Sequence, residues 1–103
     1  MAERAVYTLI VEVGRTKDDG LPEGATGAAL LCYAAAVDEE EAVRETVAVL
    51  RQAGLSPLEV EGLGTAPERE AEGHEIAPDE RALMDRALTD NAVIVAQTTL
   101  FDD

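Results

Sequence analysis

The sequence predicts an α+β fold: a two-layer sandwich with two helices on one face of a four-stranded mixed sheet, ferredoxin-like in size. Three observations predict it. Four runs are rich in β-branched and other apolar residues. Two segments carry helical spacing with clear start and stop signals. These elements follow one another in the order β-β-α-β-α-β, with no repeat of the usual βαββαβ pattern. The chain of 103 residues is enough for a single domain, 1–103, with one modest core.

The first strand is Ala5 to Val13, AVYTLIVEV, closed by Gly14. A loop rich in glycine and charge leads from Gly14 to Gly27. Gly27 to Val37 is apolar almost throughout and reads as the second strand. Asp38 is a natural cap for the first helix, and Glu39, Glu40 and Glu41 suit the positive end of its dipole. Val43, Thr46, Val47 and Leu50 space an apolar stripe along it. Gly54 fits the left-handed position past its end, and Pro57 blocks a return to helix. Leu58 to Leu63 alternates apolar and acidic residues as a half-buried strand does. Gly64 to Ala77 reads as a second loop. Pro78, Asp79 and Glu80 open the second helix, whose stripe is Leu83, Met84, Ala87 and Leu88. Ala92 to Phe101 is the last strand, followed by the acidic pair Asp102 and Asp103.

Charge bounds the partners. Twenty-two acidic residues against eight basic ones give a formal charge of −14. Nucleic acids and anionic membrane surfaces both require positive charge, so neither is an expected partner. Aromatics amount to 3%, which leaves no platform for stacking bases. No run is long enough to span a bilayer. One cysteine, Cys32, allows no internal disulfide, and the absence of a visible leader joins it in pointing to the cytoplasm.

The strands themselves carry the most information. In the first, Tyr7, Leu9, Val11 and Val13 share one side, yet Val6 and Ile10 occupy the other. The second and last strands are likewise apolar on both sides. Leaving one such face wet forfeits roughly 25 cal/mol per Å² of apolar area. A second copy of the chain is the expected cover, giving a homodimer through Val6, Ile10, Tyr33, Val93 and Val95.

Site chemistry is sparse. His74, the only histidine, lies among Glu72, Glu75 and Asp79 but lacks a second soft ligand, so no metal and no other cofactor is expected. Cys32 sits inside an apolar strand, far in sequence from any activating base. The Gly14–Gly20 loop lacks the glycine-lysine-serine/threonine ending of a phosphate loop. Catalytic residues are therefore expected to be absent. Glu39, Glu40, Glu41 and Glu45 form an acidic helix face suited to a basic protein. Charge by segment is −2 over 1–37 (three basic, five acidic), −5 over 38–62 (two, seven) and −7 over 63–103 (three, ten).

Two functions follow. The first is a small, acidic, non-enzymatic interaction or regulatory protein, homodimeric, that binds a basic partner. The alternative is a small-molecule-binding or weakly enzymatic dimer whose loop-lined pocket draws on Tyr7, Arg15 and His74.

Overall fold

Strand propensity places four strands: β1 (Ala5–Gly14), β2 (Gly27–Ala36), β3 (Ser56–Thr65) and β4 (Val93–Phe101). Three helices accompany them: α1 (Glu39–Gln52), α2 (Ala66–Ala71) and α3 (Pro78–Asp90). The computed structural model describes residues 3–17 and 19–101; Asp102 and Asp103 lie outside the described residues.

The strands form one sheet in the order β3-β1-β2-β4. Each neighbouring pair is antiparallel, so the expected mixed sheet is corrected to an antiparallel one. β2 and β3 do run the same way, as a β-α-β unit requires. β1 is inserted between them, because its two apolar faces and free edge accept both partners, and no parallel ladder forms.

The layering also differs from expectation: the helices lie on opposite faces of the sheet. Ala42 and Leu50 of α1 pack on Leu9, Val11, Val13, Ala28, Leu30 and Cys32. Met84 and Ala87 of α3 pack on Tyr33, with Val6, Leu31 and Ile94 beside them. These sets are the alternate residues of the same strands, which point to opposite sides. The cause is strand placement. With β3 docked on β1 at one edge and β4 on β2 at the other, the chain must cross the sheet between them. It crosses the back face, carrying α2 and α3 with it.

This crossing changes the expected interface. Val6, Ile10 and Tyr33 point to the α3 side, whereas Val93 and Val95 pair with Ala34 and Cys32 on the α1 side. Tyr33 is wholly buried, with α3 as its cover. The five residues share no surface. Two-sided apolar strands did demand a second cover; at the Tyr33 end the chain supplies its own.

Local signals explain the helix ends. The Asp38 carboxylate accepts the Glu41 N–H at 2.8 Å, capping α1. The buried side of α1 is Ala42, Thr46 and Leu50, with Val43 partly buried beside the core. The unexpected α2 begins in a capping box: Thr65 accepts the Glu68 N–H at 3.4 Å, and Glu68 accepts the Thr65 N–H at 3.0 Å. It ends in a turn in which the His74 N–H donates to the Arg69 carbonyl at 2.9 Å. α3 ends on Asn91, whose φ of 50° is left-handed. Gly27 has no room for a side chain, since a Cβ there would lie 2.5 Å from the Val13 carbonyl oxygen.

Candidate functional site

On its α3 side the sheet is only half covered. Cross-strand register divides this face into rows. Gly64, Thr8, Tyr33 and Ile94 make the row under α2 and α3. Further along, Glu61, Ile10, Leu31 and Gln97 make a second row, and Glu59, Glu12, Ala29 and Thr99 a third. Neither helix reaches the third row. Ile10, Leu31 and Ala29 stay partly exposed at the centre of the second and third rows, while Glu12, Glu59, Glu61, Gln97 and Thr99 are exposed around them.

Two shallow depressions meet at Ile10. One, of about 330 Å³, is bordered by Glu12, Glu59 and Glu61. The other, of about 200 Å³, is bordered by Ala29, Leu31, Gln97 and Thr99. The surface thus grades from acidic on the β3 side to neutral and hydroxylic on the β4 side, around an apolar centre.

The acidic side is electrostatically uncompensated. Glu12 stands directly opposite Glu59, an arrangement that costs a sheet stability. The ion pairs of the described residues lie elsewhere: Arg4–Glu41, Arg15–Asp19, Arg69–Glu80, Arg81–Glu70 and Arg86–Asp90. None involves Glu12, Glu59 or Glu61. The other basic residues, Lys17, Arg44 and Arg51, lie on the β1–β2 loop and on α1.

Beside this open area, a polar node fastens the helices to the sheet. The Tyr33 hydroxyl donates to Glu80 Oε1 at 2.6 Å. Arg69 Nη1 donates to Thr8 Oγ1 at 3.2 Å and meets Glu80 Oε1 at 3.5 Å. Burial first, and then the Glu80 carboxylate, push the Tyr33 phenol up to about 12. The Tyr33 hydrogen bond is the main cause that holds Glu80 below its ordinary value. Thr8 and Tyr33 are wholly buried, so the node joins α2, α3, β1 and β2.

The residues singled out from sequence are dispersed. Tyr7 is half-buried on the α1 side of β1. Arg15 lies eight residues along the chain, roughly 26 Å away at strand rise. Its guanidinium organises the following loop, donating to Asp19 Oδ2 and the Pro22 carbonyl, each at 2.9 Å, and to the carbonyl of Ala25. Asp19 completes that loop by accepting the Thr16 and Leu21 N–H groups, which hold its carboxyl below the ordinary value. His74 is exposed in the turn after α2. No pocket brings Tyr7, Arg15 and His74 together among the described residues.

Glu39, Glu40, Glu41 and Glu45 do share one end of α1, on the opposite side of the sheet from Glu12 and Glu59. Glu41 is engaged there with Arg4 at 3.6 Å and with the Val37 N–H at 3.4 Å. Cys32 is buried, and burial pushes its thiol up to about 11, so it is almost wholly protonated at neutral pH. Among the described residues no three of His, Cys, Asp and Glu are grouped to hold a metal ion. Among the described residues no helix is long and apolar enough to cross a membrane.

The Glu12–Glu59–Glu61 group was within reach of sequence reasoning only in part. Leu58 to Leu63 already placed Glu59 and Glu61 on one side of a strand. That Glu12 faces them depends on β3 pairing with β1.

Comparison with known proteins places the chain but assigns it no activity. A protein-family model described as "Domain of unknown function (DUF8846)" matches residues 6–102. No curated protein and no solved structure matches the chain.

Proposed function

The chain belongs to the DUF8846 family, and from its surface we propose that it is a non-enzymatic interaction module that binds a basic protein partner on the open half of its sheet. One observation carries this reading. Glu12, Glu59 and Glu61 are gathered at a partly exposed apolar centre, Ile10 and Leu31, and take no part in the ion pairs of the described residues. A fold built only for stability gains nothing from facing Glu12 with Glu59. A basic ligand turns that repulsion into attraction, and the apolar centre adds contact area. The formal charge of −14 steers such a partner from a distance. The acidic end of α1, with Glu39, Glu40 and Glu45, extends the field around the β3 edge.

The alternative, a small-molecule pocket at Tyr7, Arg15 and His74, draws no support from the arrangement of these residues.

Calorimetric titration with a synthetic peptide of alternating arginine and leucine tests the proposal. A glutamate-for-arginine peptide serves as the control. The wild type is expected to bind only the basic peptide, less tightly as salt rises. The triple variant Glu12→Gln, Glu59→Gln, Glu61→Gln should lose at least about tenfold in affinity, or about 1.4 kcal/mol. The variant Glu39→Gln, Glu40→Gln, Glu45→Gln should lose less. Undiminished binding by the first variant overturns the assignment of the site.

A further inference from the structure

The two edges of the sheet are built on opposite principles. β3 is a guarded edge. It carries Pro57, Glu59, Glu61, Gly62 and Gly64, and its pairing with β1 is broken by two register shifts. Such features prevent one sheet from adding to another. β4 is guarded far less, by a single register shift where β3 has two. Its nine residues, Val93–Phe101, include no charge, no proline and no glycine, in a chain that is 29% charged. Its far side is unpaired, because β4 ends the strand order. Val95, Leu100 and Phe101 remain 42%, 45% and 37% exposed along it.

From this contrast we propose that β4 pairs antiparallel with β4 of a second copy, joining two sheets into one of eight strands. Charge selects the occupant. Two molecules that each carry −14 repel wherever their acidic surfaces meet. β4 is a neutral strip along which they can approach, and an unpaired strand edge supplies the backbone donors and acceptors to hold them. A basic partner has no charged group to meet there.

Two-fold symmetry and the one irregularity in the strand constrain the register, and an axis at Thr98 satisfies both. Ala96 is the extra residue of a bulge: Leu31 pairs with Gln97 and Cys32 with Val95. A two-fold axis through Thr98 places Thr98 opposite the partner's Thr98 and Gln97 opposite the partner's Thr99. Beyond the bulge it sets Val95 against the partner's Leu100. Like faces like throughout: the Val95 and Leu100 contacts fall on the α1 side and the Gln97 and Thr99 contacts on the α3 side. The two open half-faces then become neighbours on one continuous surface. The pairing itself rests on β4 alone and does not depend on the proposed basic partner.

Light scattering after size-exclusion chromatography, at high micromolar concentration and high salt to screen the net charge, reads the state directly. The wild type should weigh twice 10.9 kDa. Thr98→Lys, which sets two like charges across the axis, should weigh half as much and keep a cooperative melt. Leu58→Lys on the guarded edge should leave the mass of the assembly unchanged. Thr98→Cys should form a disulfide-linked dimer on mild oxidation, since opposed strand residues bring their Cα atoms within disulfide range. Cys32 is buried and should not compete. A wild type of 10.9 kDa overturns the proposal, as does a dimer that survives Thr98→Lys or one that Thr98→Cys fails to cross-link.

Discussion

Replacing Tyr33 with phenylalanine removes one oxygen from the node that fastens α2 and α3 to the sheet. The ring stays, so apolar packing against Met84 and Ala87 is kept. What is lost is the 2.6 Å hydrogen bond to Glu80 Oε1. Hydrogen bonds to charged groups contribute about 1.5–3 kcal/mol. Glu80 keeps the Ala77 N–H at 3.4 Å and Arg69 at 3.5 Å, and its side chain is 25% exposed, so water makes up part of the loss. The cost at neutral pH should therefore fall near the lower end, about 1.5 kcal/mol. For a domain of this size that lowers the melting temperature by roughly 6–12 °C.

The cost should also depend on pH, in a direction fixed by linkage. Glu80 is held below its ordinary value, first by Tyr33. Such a group stabilises the fold above the pKa it has in the unfolded chain, and that stability is lost as pH falls through its lower, folded value. Denaturant unfolding of Tyr33→Phe and wild type at neutral pH should differ by the full amount. As pH falls through the folded value of Glu80, the gap should shrink to that of a neutral hydrogen bond, about 0.5–1 kcal/mol. A difference under about 0.5 kcal/mol at neutral pH would refute the reasoning, as would one that pH leaves unchanged.

Two further outcomes follow from other parts of the molecule. Glu12→Gln removes a like-charge pair and should raise stability by roughly 0.2–1 kcal/mol, a gain of a few degrees in a thermal melt, while weakening the binding of a basic peptide. Cys32 should react with a thiol reagent only when the protein opens, because it is buried and its thiol is pushed up to about 11. Labelling in native buffer should therefore be slow and should accelerate as urea passes through the unfolding transition.

Much of the secondary structure was legible because its signals are local. β-branched and apolar runs marked three strands, apolar–acidic alternation marked β3, Asp38 marked the start of α1, and Pro78 marked the start of α3. α2 was overlooked although Thr65-Ala66-Pro67-Glu68 carries its capping signature, because glycine and charge on either side read as loop. The candidate site was legible only in fragments: Glu59 and Glu61 by alternation, Ile10 as an apolar residue on a second face.

Alternation along a strand fixes which residues share a side, so the chain alone determined that both faces of its sheet needed cover. Which object covers each face is a matter of strand order, and strand order depends on contacts between residues distant in sequence. Only when β3 joins β1, and β4 joins the far edge, does α3 have to cross behind the sheet and bury Tyr33. The same strand order sets Glu12 against Glu59 and puts the uncharged β4 at a free edge, while the helices leave Ile10 partly exposed. No local propensity encodes those placements, because their energy comes from pairs that meet only after the chain has folded.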